Sequence, residues 1–132
     1  MKLYYTSGAC SLAVHIALCE SGLPFEKESV DLGTKKTASG ADFTAINAKG
    51  YIPALQLDSG ELLTEGPAIN QYLADLVPEK KLAPANGTLD RVRVQSWLTF
   101  IGTELHKSFT PLFHPSADDV KAQAKANIAK RL

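Results

Sequence analysis

The chain is poor in the features that mark secreted, membrane or nucleic-acid-binding proteins. It has two cysteines in 132 residues, too few for the multi-bridge framework of a small secreted domain. Cys10 and Cys19 are also spaced as neither C-x-x-C nor a zinc-ligand pair, so no metal is expected. No apolar run approaches the ~18–20 residues that cross a bilayer. The N-terminus, Met1-Lys2-Leu3-Tyr4-Tyr5, meets Gly8 before any signal-peptide core could form. The expected location is the cytoplasm, without a membrane partner. Neither sign of charge is in excess, since 14 Lys and Arg balance 14 Asp and Glu. That balance excludes an extended nucleic-acid face, which needs concentrated basic charge. It leaves room for a small anionic ligand held by one or two local charges. Repeats and low-complexity tracts are absent too, and the composition is ordinary for a globular chain, 45% hydrophobic and 21% charged.

What is present is a change of pattern along the chain. Lys2 to Thr6 is short and aromatic and predicts a first strand, followed by a turn at Thr6-Ser7-Gly8-Ala9. From Ser11 onward Leu12, Ile16, Cys19 and Leu23 recur at helical spacing, which predicts a helix with those residues in the core. Gly22 and Pro24 stop it. Phe25 to Leu32 predicts a second strand with Phe25, Val30 and Leu32 inward. Strand, helix and strand over about thirty residues make a βαβ unit with a parallel pair. Ala41 to Ile46 holds at most a short helix. Ile52–Leu57 and Glu61–Thr64, joined by Asp58-Ser59-Gly60, predict an antiparallel hairpin, and Ile69, Tyr72, Leu73 and Leu76 a closing helix with Pro67 in its first turn.

That order predicts an α/β thioredoxin-like domain, a mixed four-stranded sheet with helices, over residues 1–78. Pro84, Asn86 and Gly87 then punctuate an aperiodic linker, 79–87. Residues 88–132 read as a partial all-helical domain. Its first helix is expected from about Asp90 to Thr110, carrying the stripe Val94, Trp97, Leu98, Ile101 and Leu105. Asp118 and Asp119 mark a second, acidic helix start.

Several residues could carry chemistry. Cys10 lies between a strand and a helix N-terminus, where unpaired N–H groups and the helix dipole favour a thiolate; a free cysteine is otherwise a small buried apolar residue. Cys19 falls on the apolar stripe and is expected in the core. The Ile52-Pro53 bond suits either a plain strand edge or a cis turn that presents the backbone of Ile52 to an extended ligand. Thr64-Glu65-Gly66-Pro67 sits at a strand-to-helix junction. It reads either as an ordinary acidic first turn or as a seat for an amino-acid head group, with a carboxylate on free N–H groups and an ammonium on Glu65. Thr99, Gly102, Thr103, His106 and Thr110 form a polar face beside the apolar stripe, and His106 is its readily titrated member. His15 and His114 have no functional surroundings in the sequence.

These residues, taken in order, carry a resemblance. Lys2-Leu3-Tyr4-Tyr5 through Gly8-Ala9-Cys10-Ser11-Leu12, Asn47-Ala48-Lys49-Gly50-Tyr51-Ile52-Pro53-Ala54-Leu55, and Leu63-Thr64-Glu65-Gly66-Pro67-Ala68-Ile69 with Gln71-Tyr72-Leu73 resemble bacterial beta-class glutathione transferases. Trp97-Leu98 and Thr103-Glu104-Leu105-His106-Lys107 continue the likeness. The resemblance implies glutathione as co-substrate. Cys10 would lie at its sulfur, and Ile52 with a cis Pro53 would pair with its cysteinyl part. Glu65 and Gly66 would hold the γ-glutamyl head and Lys35 the glycyl carboxylate. Thr103 and His106, with Lys107, would contribute from the helical domain, and Tyr5 matches a tyrosine near the site. Cys10 and His106 are the implied catalytic residues. A homodimer is also implied by family habit.

The chain departs from the family where Lys-Gly-Gln-Val-Pro becomes Lys49-Gly50-Tyr51-Ile52-Pro53, which loses an amide facing the ligand, and at Thr99, where the class tends to have Asn. The family's helical domain also continues past Leu132, so the chain reads as shortened, with the Val94–Leu105 stripe partly uncovered. The expected activity is conjugation of the glutathione thiol to apolar electrophiles. Two alternatives are thiol–disulfide exchange or peroxide reduction through Cys10, and a non-catalytic glutathione- or ligand-binding role.

Overall fold

The computed structural model describes residues 1–132, which form two compact units, Met1–Asn86 and Gly87–Leu132. The first contains β1 (Lys2–Tyr5), α1 (Ser11–Ser21), β2 (Glu26–Asp31), β3 (Lys36–Thr37), α2 (Phe43–Ile46), β4 (Ala54–Gln56), β5 (Leu62–Thr64) and α3 (Gly66–Leu76). The strands lie in the order β3-β2-β1-β4-β5. Central β1 runs parallel to β2, with Tyr5 opposite Ser29, and antiparallel to β4, with Tyr4 opposite Ala54. β5 returns antiparallel to β4, with Thr64 opposite Ala54. This is the thioredoxin-like mixed sheet expected from the sequence. The short β3 is an addition to the four strands read there. Asp31 Oδ1 accepts the N–H groups of Gly33 (2.8 Å) and Thr34 (3.1 Å), which folds the chain back so that Lys36–Thr37 pairs with Asp31–Val30.

Alternation along the strands divides the core between the two sheet faces. Leu3 and Leu55 meet Val14 and Leu18 of α1 and Ile69 and Leu73 of α3 on one face, all fully buried. Tyr4 and Ala54 meet Val30, Phe43 and Ile52 on the other. Each fully buried Leu or Ile contributes about 1.5–3 kcal/mol.

The buried stripe of α1 differs from the expected one. Ser11, Val14, Leu18 and Ser21 face inward, whereas Leu12 and Ile16 are 57% and 53% exposed and Cys19 is exposed. The entry into the helix decides this. Ser11 Oγ accepts the N–H of Thr6 (3.2 Å) and donates to the C=O of the same residue (3.1 Å), so Ser11 must point inward. Residues three, seven and ten later then follow it. Ser21 tolerates burial because its hydroxyl donates to Leu18 C=O at 2.7 Å. Leu32, expected inward, lies beyond the end of β2 and is exposed.

The second unit holds α4 (Leu89–Phe100), a π-helical turn (Ile101–Leu105), a 3₁₀ turn (His106–Phe109), α5 (Thr110–Phe113) and α6 (Asp118–Ala129). The single helix expected to Thr110 is therefore interrupted after Phe100. Hydroxyls compete for its backbone there: Thr99 donates to Gln95 C=O (2.8 Å), Thr103 to Thr99 C=O (3.0 Å), and Ser108 to Glu104 C=O. Gly102 adds backbone freedom at the same place. Thr88 caps α4 by accepting the N–H of Arg91 at 3.2 Å. Within the expected stripe Trp97 and Ile101 are exposed, while Val94, Leu98 and Leu105 are half-buried.

On the outer part of the sheet Glu28 of β2 ties three segments together. It pairs with Lys2 of β1 and accepts from the N–H (3.1 Å) and hydroxyl (2.6 Å) of Ser39. Lys2 first, then the hydroxyls of Ser39 and Thr37, hold its carboxyl at about 2, well below the ordinary 4.5. A depressed carboxyl stabilises the fold above its unfolded value and loses that contribution as pH falls through the folded value. Glu28→Gln should therefore lower unfolding free energy by about 1–2 kcal/mol at pH 7. In urea denaturation the gap to wild type should close as pH falls from 4.5 towards 2; a gap constant over that range would show that the charge is not responsible.

Candidate functional site

The strand directions bring four connections to one edge of the sheet. β1, β2 and β5 end there, and β4 begins there. The edge is thus built from Thr6–Cys10, Asp31–Lys35, Asn47–Pro53 and Glu65-Gly66.

Cys10 is the N-cap of α1. Its turn is fixed by the two Ser11–Thr6 bonds already described, and by Thr6 Oγ1 donating to Val30 C=O at 2.7 Å. The Cys10 thiol donates to the C=O of Ile52 at 3.4 Å. Cys10 is an exposed residue, yet desolvation of its sulfur by the surrounding atoms pushes the thiol above its ordinary 9.0; the backbone N–H groups of Cys10 and Ser11 oppose this, and the nearby Glu65 anion adds to it. The helix N-terminus therefore does not make Cys10 a thiolate near neutral pH, as its position in the sequence suggested. Desolvation, the largest influence, outweighs those N–H groups, and Glu65 adds the smallest push in the same direction.

Asn47 shapes the segment facing Cys10. It is buried, its Nδ2 donates to Tyr51 C=O (2.8 Å), its Oδ1 accepts the N–H of Lys49 (3.2 Å), and its own C=O accepts the N–H of Gly50 (2.8 Å). Gly50 adopts a φ of 63°, open to glycine without strain. The chain then enters the Ile52-Pro53 bond, which is cis, one of the two geometries the sequence left open. Both residues are buried, whereas Tyr51 is exposed. Lys35, itself at a φ of 57°, donates from Nζ to Gly50 C=O at 3.0 Å, so its ammonium joins this segment.

Glu65 caps α3 through its C=O, which accepts the N–H groups of Ala68 and Ile69, both at 3.0 Å. Its side chain makes no cap and stays exposed. Gly66 opens α3 beside Pro53 and Val14: a Cβ there would meet them at 3.6 and 3.8 Å. As the first residue of the helix, Gly66 has an amide with no acceptor inside it, and Pro67 after it has no N–H to offer. Cys10, Lys35, Ile52, Pro53, Glu65 and Gly66 are thus brought to one edge.

Tyr5 ends β1 with its ring toward the helices. Its ring neighbours are His15 (6.3 Å between centroids) and the Lys27 ammonium (5.6 Å). His15 also meets Phe25 edge-on at 5.7 Å, so it has packing partners that the sequence did not reveal. Thr103, His106 and Lys107 belong to the second unit, where Thr103 lies in the π-helical turn and the other two open the 3₁₀ turn, exposed. Ser11, Asn47 and Lys49 were not singled out from the sequence. Asn47, three residues before Gly50, carried the signature of a side-chain-closed turn, and Ser11 that of a hydroxyl bonding local backbone at a helix start.

The family model of the glutathione S-transferase N-terminal domain matches residues 8–76. The chain is 51% identical, over its whole length, to glutathione S-transferase GstA of Escherichia coli O157:H7, of which it covers 66%. Among solved structures, the ternary complex of BphK, a bacterial glutathione transferase, matches with a TM-score of 0.96 at 59% identity, over 99% of this chain and 66% of that one. A sphingomonad glutathione S-transferase complexed with glutathione matches with a TM-score of 0.95 at 53% identity, over 98% and 65%. The chain thus spans slightly less than two thirds of the length of each of these relatives.

A raised pKa leaves Cys10 mostly protonated at pH 7. Iodoacetamide should alkylate it more slowly there than an unhindered thiol, with a rate that keeps rising past pH 9. Glu65→Gln removes the anion and should speed alkylation at pH 7 by less than about twofold, followed by peptide mass spectrometry to separate Cys10 from Cys19. An unchanged rate would contradict the electrostatic role given to Glu65.

Proposed function

The chain belongs to the glutathione S-transferase family, and from that premise we propose that it binds glutathione at the sheet edge and conjugates it to apolar electrophiles. The observation that carries this reading is the convergence of Cys10, Ile52 and the α3 N-terminus, joined by the Cys10 thiol on the Ile52 carbonyl. In it the backbone of Ile52, ahead of Pro53, pairs with the cysteinyl part of glutathione. The Gly66 N–H takes the α-carboxylate of the γ-glutamyl head, where a helix N-terminus favours an anion, and Glu65 takes the adjacent ammonium. Lys35 takes the glycyl carboxylate. In this reading residues 1–78 bind glutathione. The parts of Thr103, His106 and Lys107 rest on family resemblance alone, as does a homodimer, while a cytoplasmic location rests on the sequence of the N-terminus. No helix is long and apolar enough to cross a membrane.

Positioning beside a donor is what such an edge offers chemically. Glutathione's thiol loses its proton to solvent. Its sulfur forms a bond to the electrophilic carbon, and the leaving group departs with its electron pair. Cys10, kept protonated by its raised pKa, stabilises that thiolate by donating an S–H bond and is not itself the nucleophile. The same protonation disfavours thiol–disulfide exchange through Cys10, which needs a thiolate.

Calorimetric titration with glutathione beside a turnover assay on a chloro-nitro-aromatic substrate tests the reading. Wild type should bind and turn over. Cys10→Ala should lower kcat/KM by less than about tenfold, since one weak donor is lost. Binding without turnover would reduce the role to ligand binding, and no binding would overturn the reading altogether.

A further inference from the structure

Lys49 places a cation where the amino-acid head of the ligand would sit. Its ammonium is 3.8 Å from Glu65 Oε1 and 3.4 Å from Thr64 Oγ1. The carboxylate proposed to receive the ligand's ammonium therefore already faces an ammonium of the chain itself. The side chains are 59% and 72% exposed, and an open pair at this separation contributes only about 0–1 kcal/mol. A ligand can displace it at little cost. The backbones beneath are held by bonds that do not involve that pair. The N–H of Lys49 is held by Asn47 Oδ1, and Glu65 is built into the start of α3.

We infer that Lys49 is a specificity-determining residue for the ligand's α-amino-acid head. The inference rests on the role given to Glu65 above. The Lys49 ammonium rests on Glu65. When the γ-glutamyl ammonium takes its place, Lys49 turns to the α-carboxylate borne on the same carbon, which it shares with the Gly66 N–H. A head group with both charges matches both members of the Lys49–Glu65 pair. One that lacks its carboxylate can engage Glu65 only by leaving Lys49 without an anion, so the pair selects against it.

The test is calorimetric titration of wild type, Lys49→Met and Lys49→Arg with two ligands: glutathione, and γ-aminobutyryl-cysteinylglycine, which lacks the α-carboxylate. Met keeps most of the apolar stem while removing the charge. Lys49→Met should weaken glutathione binding about 5- to 20-fold. It should leave the analogue's affinity unchanged or improved, because no chain cation then competes for Glu65. Lys49→Arg should bind glutathione within about threefold of wild type. Equal weakening of both ligands by Lys49→Met, or no weakening of glutathione, would overturn the inference while glutathione binding by wild type still stood. Failure of wild type to bind glutathione would instead overturn the reading of the site beneath it.

Discussion

Strand β1 pairs in parallel with β2 on one side and antiparallel with β4 on the other, and the site at residues 1–86 depends on that pairing. With β5 antiparallel to β4, three strands end and one begins at the same edge. No connection has to travel to reach the site; each is delivered by the direction of its strand. A register slip of one residue in β4 would carry Ile52 and Pro53 away from Cys10, and would also turn Leu55 out of the core. The burial that stabilises the sheet is therefore the same burial that aligns the functional segments.

Within that frame, local hydrogen bonds do the finer positioning. Ser11 holds the turn that carries Cys10, and Asn47 holds the loop that carries Lys49, Tyr51 and Ile52. Neither needs to touch a ligand to matter. The electrostatics follow from the same placement. The Cys10 sulfur is partly desolvated and lies near the Glu65 carboxylate, so it is a donor at neutral pH, and its partner in the structure is the Ile52 carbonyl. Three of the groups proposed to face the ligand are thus engaged with the chain's own atoms, namely Ile52 C=O with Cys10, Lys35 with Gly50 C=O, and Glu65 with Lys49. Their charges and lone pairs are used, yet weakly enough to be exchanged.

Much of this was legible in the sequence, because the βαβ unit, the hairpin and the closing helix each carry their own turn residues and apolar spacing. The inward face of α1 was not. Apolar residues line both sides of that helix, so periodicity admits two solutions, and the Ser11–Thr6 bonds choose the less apolar one. The break after Phe100 was hidden for a related reason. The apolar stripe continues through it, while the hydroxyls of Thr99, Thr103 and Ser108 that rearrange the backbone lie off that stripe. At the site, Cys10, Pro53 and Glu65 could be found from the junctions they occupy. The direction of the Cys10 shift could not, because desolvation and the approach of Glu65 are properties of packing between segments distant in sequence.

The proposal that four segments converge into one glutathione-binding edge is tested most directly by amide chemical-shift mapping during titration with glutathione. Perturbed amides should cluster at Thr6–Ser11, Lys35, Gly50–Ile52 and Glu65-Gly66. Those at the opposite edge, around Met1, Pro24–Glu26 and Asp58–Glu61, should stay still. Shifts confined to that opposite edge, or spread without focus over the chain, would contradict the placement of the site.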